Sequence, residues 1–169
     1  FSHADDLFIS SAGGLTVSDA DAFKKLTLVA EDELNITDDL IANLSVSVSG
    51  NVVSTGDTTS IITQDLTINA DSEIDLNGET KSLNLLLSSN NLRSSANLLV
   101  LNDADIQTVD NALFQDGDIR INTASLVGGK FGFLDSVLSV NILNANTHQW
   151  GINNSRFEVS DLTLATDES

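Results

Sequence analysis

Residues 26–36, LTLVAEDELNI, align without a gap on residues 66–76, LTINADSEIDL, at a separation of 40 residues. The likeness is chemical as well as literal. Leu26/Leu66, Leu28/Ile68, Ala30/Ala70, Leu34/Ile74 and Ile36/Leu76 form one apolar set, while Thr27/Thr67, Glu31/Asp71 and Glu33/Glu73 form a polar set between them. Alternation with period two is the mark of a strand with one face buried, and the small Ala30 and Ala70 suit a bend. A second likeness joins LTVSDA (residues 15–20) to FEVSDL (residues 157–162) at a separation of 142, close to seven units of twenty.

Short inside-outside-inside triplets recur elsewhere: Leu44-Ser45-Val46, Leu83-Asn84-Leu85, Ile119-Arg120-Ile121 and Phe157-Glu158-Val159. The connections between them are brief and rich in Asp, Asn, Ser, Thr and Gly, too short for a crossover helix. Composition agrees, with 19 Asp and 17 Asn against 6 Glu, which favours turns over long helices. The runs Leu83-Asn84-Leu85-Leu86-Leu87 and Leu98-Leu99-Val100-Leu101 fit helix or strand by period alone, but Ser, Asn and Asp bound them tightly and they read as strands.

A unit of about 20 residues with two or three short strands cannot bury its own apolar side; stacked units can. The reading is therefore an all-β parallel solenoid of about eight coils, roughly 40 Å long at the spacing of paired strands. An antiparallel sandwich or jelly roll with a strand-donating terminus is the alternative, and Leu44-Ser45-Val46-Ser47-Val48 is its best support. Residues 1–169 read as one domain: a capping or assembly coil at 1–25, regular coils at 26–127, and less regular coils at 128–169, where Phe131, Phe133, Trp150 and Phe157 enter.

Charge excludes some partners. With 7 Lys+Arg against 25 Asp+Glu the formal charge is -18, which repels phosphate and argues against nucleic acid. No apolar run approaches the ~18 residues of a membrane helix, so membrane insertion is not expected. A chain with no Cys has no disulfide, thiolate metal site or cysteine nucleophile. The lack of Cys and Met suits an oxidising exterior, and Phe1 in first place suggests a processed mature chain or an excised fragment. The expected location is extracellular or at a cell surface.

Acidic pairs at turns are the first candidates for a site, because hard cations take several oxygens and Asp-x-Asp offers two. Asp103 with Asp105, and Asp116 with Asp118, are the chosen pairs, and calcium is the one cofactor they suggest. No EF-hand loop or glycine-rich nonapeptide calcium repeat is present, so solvated turns explain any single pair. Three sequons, at Asn35, Asn43 and Asn153, match the number expected by chance from this composition. The two histidines, His3 and His148, lie near no nucleophile signature, and no enzymatic role is expected. A polysaccharide lyase or hydrolase using Asp clusters with Arg93, Arg120 or Arg156 is a minor alternative. Trp150 is the candidate ligand residue, since an exposed aromatic can stack on a sugar. Terminal coils offer unpaired backbone edges, which makes Leu15, Val17, Phe157, Val159, Leu162 and Leu164 candidate assembly residues.

The segments LTLVAEDELNI and LTINADSEIDLNG resemble the coils of filamentous-haemagglutinin-type adhesins and related large bacterial surface β-helix proteins. The resemblance is to a style of repeat, clearest over residues 26–76. It implies a right-handed β-helix in a secreted or surface-exposed protein used for adhesion or scaffolding. The expectation is thus an extracellular structural protein, a solenoid adhesin segment or self-assembling filament subunit, whose partners are copies of itself or other surface proteins. A carbohydrate- or surface-binding module is the alternative.

Overall fold

The computed structural model describes residues 5–165, and among these there is no helix, hence none long and apolar enough to cross a membrane. Fifteen strands follow one another: β1 (Asp6–Ser11), β2 (Leu15–Val17), β3 (Ala20–Ala22), β4 (Lys25–Ala30), β5 (Glu33–Ile36), β6 (Leu40–Ala42), β7 (Ser45–Thr55), β8 (Ser60–Ile62), β9 (Asp65–Leu76), β10 (Glu79–Ser82), β11 (Asn84–Ser94), β12 (Asn97–Gln115), β13 (Asp118–Leu134), β14 (Val137–Asn153) and β15 (Arg156–Ala165). All pairings are parallel.

The register shows how the apolar alternation is used. Leu7 pairs with Leu26, Leu26 with Val46, Val46 with Leu66, Leu66 with Leu85, Leu85 with Ala104, Ala104 with Ala124, Ala124 with Leu143 and Leu143 with Leu162. Each step is 19 or 20 residues, one turn of a parallel β-solenoid of about eight coils. Two further faces close each coil. One stacks Leu15, Leu34, Val53, Ile74, Leu92, Ala112, Phe131 and Trp150; the other stacks Ala20, Leu40, Ile61, Thr80, Leu98, Ile119, Leu138 and Phe157. Every second residue of each face points inward, so the core is a set of columns in which each residue packs between its counterparts one coil above and below.

The 40-residue likeness is two coils: Leu26 and Leu66 share a column through Val46, and Leu34 and Ile74 share another through Val53. The 142-residue likeness has a different origin. Leu15–Val17 lies on the second face and Phe157–Val159 on the third, so the two segments are not seven coils apart in one column. They share the alternating triplet followed by Ser-Asp, but Leu15–Val17 is a strand of three residues while Phe157–Leu162 lies inside the ten-residue β15. Leu44-Ser45-Val46-Ser47-Val48 belongs to the first face, where Val46 and Val48 stack between Leu26/Leu28 and Leu66/Ile68. The sandwich alternative is thereby set aside.

Two of the three corners are built around small and short polar residues, whereas the corner between the third and first faces carries Phe23, Lys24, Leu44 and Leu83. At the first corner Ser11 pairs with Ala30, Gly50 with Ala70, Ser89 with Thr108 and Gly128 with Thr147, a column in which no long side chain occurs. At the corner before the third face, Asp116, Asp135 and Asn154 have φ of 55°, 50° and 48°. Asp and Asn tolerate this left-handed conformation better than other side-chain-bearing residues, which explains the Asp/Asn richness of the turns. Ser136 ties the same corner to its neighbours, its Oγ donating to the carbonyls of Phe114 at 3.1 Å and Leu134 at 2.9 Å.

Three-residue strands occur at β2, β3, β6 and β8, whereas the triplets read from the sequence at 44–46, 83–85, 119–121 and 157–159 belong to or border the longer strands β7, β11, β13 and β15. In later coils the pairing instead runs round the corners, so that β12 extends over 19 residues and β13 and β14 over 17 each. The physical reason is that the corner is absorbed by register shifts, as between Gln107 and Asn111, without interrupting the ladder. Asn84–Leu87 and Leu98–Leu101 are strand segments, with Leu83 in the bend before the first; Leu85, Leu87, Leu98 and Val100 are buried and Leu99 and Leu101 lie outside. Towards the C-terminal end the core becomes aromatic: Phe114 and Phe133 stack at 5.2 Å, and Phe157 meets Phe133 edge-on at 4.9 Å.

Candidate functional site

The acidic candidates fall on separate parts of the rod. Asp103 and Asp105 project from the first face of β12, where Asp105 Oδ2 accepts a hydrogen bond from Gln107 Nε2 at 2.8 Å. Asp116 occupies a corner and accepts from Gln115 Nε2 at 3.1 Å. Asp118 opens β13, and its two oxygens are taken by Arg120, through Nε at 3.1 Å and a terminal nitrogen at 2.7 Å. That bidentate bond, with the attraction between the two charges, raises the Arg120 pKa above its ordinary value. A carboxylate already forked by a guanidinium is a poor cation ligand.

Among the described residues, the carboxylates that do converge are Asp19, Asp38 and Asp39, whose ligand atoms lie within 4.8 Å of one another. The signal that could have found them is the coil length: Asp19 precedes Asp39 by 20 residues, and Ala20 pairs with Leu40 beside them.

Trp150 stands in an interior column, partly buried, with ring centroids 6.0 Å from both Phe131 and Phe133. It is part of the aromatic stack and does not project from a lateral face. Each arginine is engaged by a carboxylate, Arg93 with Glu73 at 3.5 Å, Arg120 with Asp118, and Arg156 with Glu158. His148 lines an open depression of about 510 Å³ with Val109, Asp110, Val127 and Lys130. Gly128 and Gly129 line it where the backbones of two coils approach closely: a Cβ on either would come within 2.4 Å of a carbonyl oxygen, of Thr108 or of Asp110. His3 lies outside the described residues.

The assembly candidates lie at the two ends. Leu15 is half-buried and Val17 is buried at the N-terminal end, with Leu7 and Ile9 also packed only in part against the core. At the other end Phe157 and Val159 are partly buried, while Leu162 and Leu164 are 55% and 53% exposed. The cause is positional. Leu143, one coil below Leu162 in the same column, is 2% exposed because a coil covers it. Ile152, 56% exposed, is a further member of this end that sequence reasoning missed. Among the described residues an apolar column and a strand edge without a second partner coincide at β15, an arrangement able to accept another parallel coil.

The fold and these ends define a β-solenoid repeat protein. Compared with known proteins, the chain matches no family model, no curated protein and no solved structure.

Proposed function

We propose that this chain is an extracellular structural protein: a rigid β-solenoid element of the surface-adhesin kind, or a filament subunit, that works by backbone pairing and core stacking. The observation that carries this reading is the set of interior columns that runs without a break from Leu7 to Leu162, a continuous rod-like core. The formal charge of -18 supports it, since lateral repulsion between rods keeps a β-rich protein dispersed and confines contact to the ends. The resemblance of residues 26–76 to adhesin coils points the same way. Carbohydrate binding through Trp150 loses its motive, because the indole packs on Phe131 and Phe133.

Electron microscopy of the purified chain at low micromolar concentration, with calcium and with chelator, tests the proposal. Elongated particles joined into filaments are expected. Filaments that survive chelator assign assembly to apolar and backbone contacts and not to bridging calcium. Dispersed rods of about 40 Å at every concentration overturn the filament reading, and compact particles overturn the structural rod itself.

A further inference from the structure

The depression beside His148 sits at the first corner, where three successive coils turn differently. The coil of β12 places Thr108, Val109 and Asp110 between Gln107 and Asn111, whereas the coil of β13 makes the same turn with Gly128 and Gly129 alone. In the next coil Thr147 stands beside Gly128, and the exposed His148 follows it. A floor without side chains therefore lies between Val109, which is 68% exposed, and His148. Thr147 Oγ1 donates to the Gly129 carbonyl at 3.0 Å and ties that floor to the coil beyond. The notch is thus part of the backbone path, and its volume of about 510 Å³ lies within the ~300–1,000 Å³ of small-molecule sites.

The groups around it are unspent. Lys24, Lys81, Arg93, Arg120 and Arg156 are each engaged by a carboxylate, as suits a chain of formal charge -18. Lys130 has no such partner among the described residues, although Asp110 lines the same depression, and Asp110 and His148 are equally without an ion pair or side-chain hydrogen bond there. An ammonium and a carboxylate that leave each other unpaired suit a ligand that accepts from one and donates to the other. A hydroxyl does both at a single atom. A simple anion would meet Lys130 but be repelled by Asp110 and by the net charge, and a simple cation would be repelled by Lys130. The exposed Val109 and Val127 add an apolar wall on which the C–H face of a ring can rest. We infer that this notch is a lateral binding site for an uncharged saccharide, with Asp110 accepting from its hydroxyls, Lys130 donating to them, and Val109 and Val127 backing the ring. Trp150, packed on Phe131 and Phe133, takes no part. The site goes beyond the structural reading above and does not depend on it, because the flank of the rod stays open whether or not rods join.

Isothermal titration calorimetry of the full chain with cellotriose, maltotriose, mannotriose and chitotriose tests the inference, with sodium acetate and glycine as anionic and zwitterionic controls. At least one trisaccharide is expected to bind with a dissociation constant in the millimolar range, as an open site with few contacts allows. Asp110→Ala and Lys130→Ala change only exposed side chains, and each should weaken that binding about three-fold or more. Lys81→Ala, on the third face, should leave it unchanged. Binding left unaltered by either notch variant overturns the two-sided contact. Tightening in Asp110→Ala with weakening in Lys130→Ala marks an anion site and overturns the saccharide assignment, as does binding of acetate or glycine alone. No binding of any of the four trisaccharides overturns the inference outright. It leaves the rod and filament readings standing, since those are decided by electron microscopy.

Discussion

Replacing Phe133 by Ala tests whether the coils behave as a one-dimensional stack. Phe133 is 2% exposed and touches rings on both sides, Phe114 at 5.2 Å and Phe157 at 4.9 Å, with Trp150 at 6.0 Å. Truncating a buried Phe costs ~3–5 kcal/mol from lost transfer energy and the cavity left behind. Aromatic pairs are worth ~0.5–1.5 kcal/mol beyond their area, which puts this site in the upper part of that range, about 4–5 kcal/mol. With a urea dependence of ~2 kcal/mol per molar, the midpoint should fall by about 2 M. In a stack, however, the loss is felt by the neighbouring coils and not by the whole chain. Trp150, the only tryptophan, lies one coil from Phe133 and reports the C-terminal coils by fluorescence, whereas far-ultraviolet circular dichroism reports all of them. In Phe133→Ala the fluorescence transition should therefore precede the circular dichroism transition. Leu34→Ala, at a fully buried site near the other end, should shift circular dichroism and leave fluorescence almost unmoved. Coincident transitions in both variants would refute nearest-neighbour stability, and a shift below about 0.5 M in Phe133→Ala would refute the packing argument.

Other perturbations probe single positions. Gly78 has φ +79°, and a Cβ there would lie 2.2 Å from the Thr59 carbonyl oxygen, so Gly78→Ala should destabilise by at least ~1–3 kcal/mol in urea titration. Thr80 is fully buried between Ile61 and Leu98, and its hydroxyl has no hydrogen-bond partner among the described residues; Thr80→Val should raise the thermal midpoint, with a gain of about 1 kcal/mol. A fall in that midpoint would show that the hydroxyl is satisfied after all. Lys24 donates to Asp5 at 2.8 Å, and this bond and the attraction to Asp5 raise its pKa above 10.5. The protonated form is thus favoured in the folded state, so the pair's contribution is complete below 10.5 and is lost as pH rises through the raised value. The difference in urea midpoint between the parent chain and Lys24→Met should accordingly be flat from neutral pH to about 9 and shrink only in stronger alkali.

The period-two alternation, the Asp/Asn-rich corners and the 40-residue likeness of residues 26–36 to 66–76 sufficed to determine a parallel solenoid of about eight coils, because side-chain alternation and coil length are local properties written directly into the chain. The sequence could not say which face each segment occupies, since corners absorb one or two residues and the step varies between 18 and 21 on the second and third faces. That is why LTVSDA and FEVSDL resemble each other without sharing a column. Nor could it place the acids: Asp103, Asp105, Asp116 and Asp118 looked paired along the chain, yet Arg120 takes Asp118 and the converging carboxylates are Asp19, Asp38 and Asp39. Trp150 likewise looked free until the register turned it inward onto Phe131. Alternation fixes whether a side chain faces in or out of its own strand; only the stacking of one coil on the next decides which side chains meet, because that contact joins residues about 20 apart through a register that backbone hydrogen bonds select in three dimensions.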